Sequence, residues 1–341
     1  MLTSAEVFYH TCQNLEKKSQ HQLADYLNKQ DRSALLERGI LLPDTVLPDD
    51  FVMHMSHPLL GGSSRSVRVL RFPRYLRAFR HTHDFFTILY VLQGTASHDT
   101  SGYAGTLTEG DLCLLSPHIF HSLYVPGDSL VLEIAIAPHM LENIFLLTPS
   151  GSNVVSDFFR CSVFLKDYAS CLLFHTQGDF ELQEQILAMY LEEFNHDEYA
   201  DKLITHLLII FLIRLIRKYR KTAESPLVPL RRRQNEDAAI ILRYLQQNYA
   251  TASLAELADL LNYSVPHCSK HVTACTGQGF AALQKQIRLR KATDYLKNTM
   301  LTVGQISERV GYENPENFIR MFKKEYGISP SQYRLGQHSP H

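Results

Sequence analysis

The sequence predicts an α+β chain, in which a β-barrel with flanking helices precedes an all-α C-terminal domain. Short runs of β-branched and aromatic residues, separated by turn residues, occupy about 51–137 and predict closely spaced strands. Apolar residues then recur at helical spacing, and beyond residue 237 one helical pattern occurs twice. With 341 residues, 45% of them hydrophobic, the chain can build two or three domain cores, which excludes disordered and small disulfide-stapled proteins.

Cysteine usage and hydropathy predict a reduced, cytoplasmic protein. The six cysteines include no C-x-x-C pair, and no charged start followed by an apolar run marks a secretory signal. The longest apolar stretch, 203–216, is interrupted by polar residues and is shorter than the roughly 18 to 20 residues that span a bilayer. Residues 231–341 carry 15 Lys or Arg against 9 Asp or Glu, whereas the rest of the chain is acidic. This basic part is a cue to nucleic-acid contact.

The patterns divide the chain into four segments. Residues 1–50 form a helical, polar prefix, for which a dimer element, a lid and a partner site are alternatives. Residues 51–221 hold the predicted strands and two apolar helices. Residues 222–236 contain two prolines and an arginine triplet and are interpreted as a linker without a long element, and 237–341 form the basic all-α domain. The strands include 66–72, 85–92, 111–115 and 129–137, and the helices lie around 182–194 and 203–215.

The basic domain contains an internal repeat. Each copy begins with a capping box, in which a Ser or Thr and a Glu or Gln three residues later satisfy exposed helix N–H groups. Two turns of apolar residues follow, then a break at an Asn or Gly suited to left-handed backbone, and then a second helix that stops at a glycine. The corresponding residues of the two copies are Ser253 and Thr302, Glu256 and Gln305, Asn262 and Gly311, Ser264 and Asn314, and Gly277 and Gly327.

Two short helices joined by a tight turn, occurring twice on a basic background, predict two helix-turn-helix units. A long helix through Leu283 and Leu296 connects the units and would set the distance between them. The alternative is a plain helical bundle that contains two helical hairpins. The duplicated boxes and turns, with the outer faces of the second helices left polar, favour DNA binding over that alternative.

The segment 237–334 closely resembles the DNA-binding domain of the AraC/XylS transcription regulators. The resemblance rests on the run Val303–Tyr312 and on Phe318, Arg320–Lys324, Gly327, Ser329, Pro330, Tyr333 and Arg334. It implies two helix-turn-helix units that enter successive major grooves on one face of DNA, about one helical turn apart.

By this resemblance, the second helix of each unit supplies the base-reading side chains. The outward positions are Val265, Pro266, Ser269 and Lys270 in the first unit and Pro315, Glu316, Ile319 and Arg320 in the second. The guanidinium of Arg320 matches O6 and N7 of guanine, and Lys270 occupies the equivalent place. Phosphate contacts are expected from Lys285, Arg288, Lys323 and Lys324. The first unit departs from the family pattern at Pro266, Cys268 and Val272, which predicts that it positions the protein more than it specifies sequence.

A second resemblance covers about 51–137, which is similar to the cupin barrel that serves AraC-type regulators as a sensor. In metal-binding cupins, two histidines separated by one residue, a glutamate and a later histidine hold the ion. His81, His83 and His121 match, whereas Thr87 stands in the place of the glutamate. Three imidazoles can still bind zinc, iron or nickel. The expectation is nonetheless an effector pocket lined by these residues and Arg80, or histidines packed in the core, without a metal or other cofactor.

Six arginines recur at every third position from Arg65 to Arg80. Side chains alternate faces along a strand, so the six cannot all line one surface of an unbroken strand. One interpretation is that one or two of them grip an anionic effector, such as a carboxylate or a sugar acid. The other is a solvated sheet edge whose charge discourages pairing with further strands.

Together these patterns and resemblances predict a non-enzymatic, homodimeric transcription regulator that binds double-stranded DNA and responds to a small-molecule effector such as a sugar or carboxylate. RNA polymerase would be a further partner of an activator. One rival is a metal-dependent cupin enzyme, against which Thr87 argues. The other is a thiol-based redox regulator that uses Cys161 with Cys171 or Cys268 with Cys275.

Overall fold

The chain forms two compact units. A computed structural model describes residues 3–31, 34–35, 53–55, 66–76, 78–100, 103–141, 153–165, 168–195, 197–226 and 229–336. The first unit comprises 1–163 and 167–229, and the second comprises 164–166 and 230–341. Within the described ranges, no helix is long and apolar enough to cross a membrane.

The first unit is built on two five-stranded sheets. The strands are β1 Met53–Met55, β2 Val67–Arg71, β3 His81–His83, β4 Phe86–Gln93, β5 Thr95–Thr100, β6 Tyr103–Thr108, β7 Asp111–Leu115, β8 His121–Tyr124, β9 Leu130–Ile136 and β10 Cys171–His175. One sheet has the order β1-β3-β8-β5-β6 and the other the order β10-β7-β4-β9-β2. Pairing is antiparallel except between β1 and β3, which run parallel.

Both sheets contribute to a common hydrophobic core, which includes Leu89 from β4, Leu107 from β6 and Leu123 from β8. Strand β4 lies between β7 and β9, and its residues from Phe86 to Val91 are all buried. The predicted β-rich domain is therefore confirmed. The described strands form two sheets that share no strand, with β2 and β10 at the edges of one and β1 and β6 at the edges of the other.

Two helices of the prefix, α1 Ser4–Lys18 and α2 Gln20–Asn28, pack against this core. Helix α1 begins with a capping box, in which Thr3 Oγ1 accepts the N–H of Glu6 and the Glu6 carboxylate accepts the N–H of Thr3. Its inward face places Phe8, Tyr9 and Cys12 in the core of the sheets. This packing favours the lid among the alternatives for the prefix, whose residues 36–50 lie outside the described ranges.

Three more helices lie in the described part of the chain that follows β9: α3 Val154–Phe164, α4 Phe180–Glu192 and α5 Ala200–Tyr219. The two predicted apolar helices are thus present. The buried stripe of α5 consists of Ile204, Leu208, Phe211, Leu212 and Leu215. Leu203 and Ile210 are 46% and 44% exposed, so α5 carries a second apolar face toward solvent.

The second unit is all-α in its described part, as predicted. Its helices are α6 Pro229–Gln247, α7 Leu254–Leu261, α8 Val265–Thr276, α9 Phe280–Asn298, α10 Val303–Arg309, α11 Pro315–Tyr326 and α12 Pro330–Gly336. The linker assigned to 222–236 needs correction, because α6 begins within it at Pro229. Proline is favoured in the first turn of a helix, where its missing N–H has no partner to lose, and arginine is a good helix former. Glu224 also pairs by two backbone hydrogen bonds with Leu173 of β10.

Candidate DNA interface and effector site

The two predicted helix-turn-helix units are α7 with α8 and α10 with α11. In each unit the second helix turns one face to the core: Cys268 and Val272 are fully buried in α8, and Phe318 and Phe322 are fully buried in α11. Leu289 of the long connecting helix α9 joins the two phenylalanines in one cluster. Cys268 and Val272, at which the first helix-turn-helix unit departs from the family pattern, therefore still form the buried face of α8.

Local hydrogen bonds fix the start of each unit. Gln305 donates its N–H to Thr302 Oγ1 at 3.2 Å and accepts the N–H of Thr302 at 2.8 Å, which completes the predicted capping box. In the first unit Ser253 Oγ accepts the N–H of Glu256 at 3.2 Å. The Glu256 carboxylate accepts instead from the hydroxyl of Tyr244 at 2.6 Å, and that hydroxyl accepts the N–H of Ser253 at 3.0 Å. The reciprocal capping box predicted there is wrong, because the Tyr244 hydroxyl bonds to both the Glu256 carboxylate and the N–H of Ser253.

The breaks between and after the helices adopt left-handed backbone as predicted. Asn262 ends α7 with φ 56°, and Gly277 and Gly327 end α8 and α11 with φ 68° and 77°. Gly311 has φ 85°, and a Cβ built there would lie 2.5 Å from the carbonyl oxygen of Ala250. Both the backbone angle and the close approach of the preceding turn therefore require glycine at position 311.

All eight predicted base-reading side chains are exposed, on the parts of α8 and α11 that are not turned to the core. They include two apolar side chains, Val265 at 44% and Ile319 at 37% exposure. The Arg320 guanidinium donates to Asn317 Oδ1 at 2.9 Å, so it lies along the outer surface of α11. Contact with DNA requires this exposure, and the assignment of single residues to bases stays a prediction.

The predicted phosphate contacts divide into two groups. Lys323 and Lys324 are exposed in the last turn of α11. Lys285 pairs with Glu325 at 3.0 Å through half-exposed side chains, a contact that phosphate could replace.

Arg288 has a structural role. Its Nε donates to the carbonyl of Tyr249 at 2.8 Å and its Nη2 to that of Ala250 at 2.9 Å. The guanidinium carbon lies 5.6 Å from the centroid of the Tyr312 ring. Because its donors face the turn between α6 and α7, Arg288 is withdrawn as a phosphate contact.

The predicted histidines of the first unit converge. His81 and His83 lie on β3, and His121 begins β8 directly opposite His81. The ring centroids of His81 and His121 are 4.2 Å apart, and those of His83 and His121 are 5.0 Å apart. One nitrogen of each of the three buried rings lies within 4.8 Å of the others, which suits a metal ion. Nδ1 of His81 faces the carbonyl of Phe79 at 3.0 Å, and Nδ1 of His83 faces Thr87 Oγ1 at 2.8 Å.

Sequence reasoning missed a fourth histidine. His98 on β5 is 2% exposed, and its ring centroid lies 5.6 Å from that of His121. Among the described residues, neither ring nitrogen of His98 or of His121 has a hydrogen-bond partner. The alternation of buried and exposed side chains along a strand could have predicted His98, since Ala96, His98 and Thr100 are the buried positions of β5.

Burial keeps this histidine cluster, defined as His81, His83, His98 and His121, uncharged. Burial, together with the smaller effect of the neighbouring His81, lowers the pKa of His83 to about 3 and that of His98 to about 4. Burial also lowers the pKa of His81, and burial with the three neighbouring rings holds that of His121 well below its ordinary value. Neutral rings donate and accept hydrogen bonds but offer no net charge to an anion.

Arg80 is not part of the buried cluster. It is exposed, and its guanidinium lies 5.9 Å from the centroid of the Phe120 ring. Three other arginines of the run bind carboxylates of the chain itself: Arg68 pairs with Glu193, and Arg71 and Arg74 pair with Glu6. Arg65 and Arg77 lie outside the described residues. The run therefore joins elements of the fold, a role that neither interpretation of the sequence anticipated.

A cavity of 120 Å³ lies beneath α1. Gln13 Nε2 of α1 donates across it to the hydroxyl of Tyr124 at 3.0 Å. Pockets for drug-sized ligands have volumes of roughly 300 to 1,000 Å³, so only a small molecule fits without movement of the helix. The lining residues are Tyr9, Cys12, Gln13, Glu16, Leu23, Tyr75, Ala78 and Tyr124.

The four cysteines considered for redox chemistry are buried or half-buried. Cys161 and Cys171 are buried. Burial raises the pKa of Cys268, and burial together with the charge of Asp237 raises that of Cys275 to about 11. Redox-active cysteines need thiolate character, so these environments argue against the thiol-based regulator.

Known proteins match both units. The family model described as "AraC-like ligand binding domain" matches residues 66–155, and the one described as "Helix-turn-helix domain" matches residues 257–336. The HTH-type transcriptional activator RhaS of Enterobacter sp. (strain 638) is 24% identical over 264 residues, which cover 75% of this chain and 87% of that protein. RhaS of Klebsiella pneumoniae (strain 342) is 25% identical over 271 residues, with the same coverage.

Solved structures of similar proteins were also found. The C-terminal domain of AraT, a response regulator from Geobacillus stearothermophilus, is 32% identical and covers 33% of this chain and 93% of its own, with a TM-score of 0.27. ToxT from Vibrio cholerae strain SCE256, with unsaturated fatty acid bound, is 18% identical and covers 79% of this chain and 94% of its own, with a TM-score of 0.30. The two family models fall on the sheet unit and on the helix-turn-helix repeat. The chain therefore belongs to the AraC family of DNA-binding transcription regulators, with an N-terminal ligand-binding domain and a C-terminal helix-turn-helix domain.

Proposed function

We propose that this regulator binds double-stranded DNA through α8 and α11 as a homodimer, and that a small molecule bound in the sheet unit controls it. The observation that carries the DNA-binding part is the repeat, in which both second helices bury one face and expose the predicted contacts. The connecting helix α9 has 19 residues and is thus about 28 Å long at 1.5 Å per residue. That length is close to the roughly 34 Å of one DNA turn, which suits successive major grooves.

Two substitutions on α11 test how DNA is bound. Arg320→Ala should cost about 1 to 3 kcal/mol in binding to the preferred site and relax the preference at one base pair. Lys323→Ala should weaken all sequences alike and reduce the salt dependence of log K by about one unit of slope. Lys17→Ala, an exposed lysine on α1, is the control and should change neither. An equal effect of Arg320→Ala on every sequence would contradict base contact.

The histidine cluster is the proposed effector site. The unpartnered nitrogens of His98 and His121 are buried, and each buried polar group without a partner costs about 1 to 3 kcal/mol. Hydroxyl groups of a ligand would satisfy them. Because burial keeps the rings neutral, this chemistry favours an uncharged, hydroxyl-rich molecule such as a sugar over a carboxylate. A metal ion on His81, His83 and His121 is the second candidate effector, supported by the spacing of their nitrogens.

One variant separates the two effectors. His98→Phe should abolish the rise in unfolding temperature produced by a sugar, yet leave binding of nickel by the other three histidines intact. His81→Ala should remove nickel binding. His21→Ala, whose side chain is 85% exposed on α2, is the matched control. If neither a panel of sugars nor nickel shifts the unfolding temperature of the wild-type chain, the cluster is a structural core.

The exposed face of α5 supports a homodimer. Leu203, Ile210 and Ile213 are 46%, 44% and 39% exposed and lie at helical spacing along one side. Ile210→Asp should therefore convert a dimer into a monomer in sedimentation experiments, without loss of helical circular dichroism. A monomeric wild-type chain at micromolar concentration would contradict this part of the proposal.

Both RhaS relatives are named transcriptional activators, which supports activation by this chain and RNA polymerase as its partner. A role on chromosomal DNA predicts a cytoplasmic location and no catalytic activity. Transcription in vitro from a promoter that carries the selected site tests activation, which should increase with the effector present.

A further inference from the structure

Three potential metal ligands from two helices meet in the second unit. Asp237 lies on α6, and His271 and Cys275 lie one turn apart on the same face of α8. His271 Nε2 is 3.1 Å from Asp237 Oδ2 and 3.5 Å from Cys275 Sγ. The ligand atoms of all three side chains lie within 4.8 Å of one another. None of the three residues is among the predicted DNA contacts, although the His271 ring also lies against Tyr263.

The distances fit a tetrahedral zinc ion. Bonds of about 2.0 Å to nitrogen and oxygen and about 2.3 Å to sulfur place neighbouring donor atoms roughly 3.3 to 3.6 Å apart. The observed separations of 3.1 and 3.5 Å need only small side-chain adjustments to reach those values. A thiolate and a carboxylate neutralise the charge of a divalent cation, and the sulfur ligand selects zinc over magnesium or calcium.

The surroundings allow an ion to enter. The side chains of His271 and Asp237 are 21% and 25% exposed, so the ligands are neither in the core nor freely solvated. At 100° per residue, Pro266 lies about 140° from His271 and about 180° from Cys275 around α8, and Lys270 lies about 100° and about 140° from them. An ion at the three ligands therefore leaves the exposed DNA-binding face of α8 uncovered.

We propose that Asp237, His271 and Cys275 form a zinc site, with the fourth position taken by water, that ties α6 to α8. Bound zinc holds α8, the second helix of the first helix-turn-helix unit, against α6. The site stands on the three side chains alone, so it does not depend on the identity of the effector or of the DNA sequence.

Cobalt(II) tests the site in the full-length chain after metal removal. A tetrahedral site with one thiolate should give a thiolate-to-cobalt charge-transfer band in the near ultraviolet that saturates at one equivalent, and zinc should abolish it. The histidine cluster cannot produce this band because it contains no sulfur ligand. Zinc should also raise the unfolding temperature of the wild-type chain.

Matched variants assign the ligands. Cys275→Ala should lose the band and show a smaller zinc-dependent rise in unfolding temperature than wild type, and Asp237→Asn, which keeps the size of the side chain, should weaken the band. His21→Ala should behave as wild type. If Cys275→Ala does not fold, Asp237→Asn and His271→Gln provide the same comparison. Absence of the band from the wild-type chain, or an unchanged band in Cys275→Ala, would overturn the proposal.

Discussion

The carboxylate of Glu6 lies 2.8 Å from Nε of Arg74, and the Glu6 side chain has no exposure to solvent. Arg71 Nη2 approaches the other carboxylate oxygen at 2.7 Å. Burial alone would raise the pKa of Glu6, but the hydrogen bonds from Arg74 and Thr3 and the charges of Arg71 and Arg74 lower it to about 2. The prefix helix thus supplies the anion that one interpretation of the arginine run assigned to an effector.

Glu6→Gln should destabilise the sheet unit by about 3 to 5 kcal/mol, because it leaves two largely buried guanidinium groups without their partner. Glu181→Gln is the control: Glu181 pairs with Arg214 at 3.1 Å, but the side chains are 60% and 43% exposed. That exposed pair should contribute less than about 1 kcal/mol. Urea unfolding of both variants measures the difference, and equal losses would contradict the account of Glu6.

The ion pair of Glu6 with Arg74 predicts that folding stability falls in acid. The pKa of Glu6 is about 2 in the folded chain against 4.5 ordinarily, so its contribution is complete above about 4.5 and is lost as the pH falls toward 2. The stability lost by wild type over this window should be reduced in Glu6→Gln. An unchanged loss in the variant would assign the acid sensitivity to other groups.

The histidine cluster predicts that folding stability also depends on pH in a range above that of Glu6. The pKa of His98 is about 4 in the folded chain and 6.5 ordinarily, so between these values the unfolded chain binds a proton that the folded chain does not. Stability should therefore fall as the pH drops below about 6.5, by about 1.4 kcal/mol per pH unit for each such histidine. Unfolding of wild type and His98→Phe at about pH 7 and about pH 5 compares the slopes. Identical slopes would show that His98 is not held neutral.

Two glycines of the second unit separate backbone strain from steric clash. Gly327→Ala should cost about 1 to 2 kcal/mol, since its φ of 77° strains alanine but nothing lies within 4 Å of a new Cβ. Gly311→Ala should cost more, because the new Cβ also meets backbone atoms of Ala250 at 2.5 and 2.7 Å. Thermal unfolding of both variants tests the order, and a larger loss in Gly327→Ala would contradict it.

The sequence correctly predicted the parts of the fold that depend on residues close together in the chain. The strands, the helices of the second unit and the left-handed ends at Asn262 and Gly277 follow from alternation, periodicity and capping chemistry within a few residues. The prediction of a linker was wrong from Pro229 onward. Proline was interpreted there as a helix breaker, although it also suits the first turn of a helix.

The features that the sequence did not predict depend on contacts between distant residues. Tyr244 takes the partners of Ser253 and Glu256 because α6 packs beside the start of α7. The pairing of Glu6 with Arg74 joins residues 68 positions apart, and no periodicity encodes it. His98 was predictable in principle, since the alternation of side chains along β5 turns it inward, but its position is not part of the cupin metal motif.

Selection of binding sites from a random DNA pool by the full-length chain tests the central claim most directly. The wild-type chain should enrich a motif with two half-sites about 10 base pairs apart, as two recognition helices in successive major grooves require. The Lys270→Ala, Arg320→Ala double variant should lose that enrichment, and Lys17→Ala should retain it. No enriched motif in the presence or absence of effector candidates, or equal enrichment by the double variant, would contradict DNA recognition through α8 and α11.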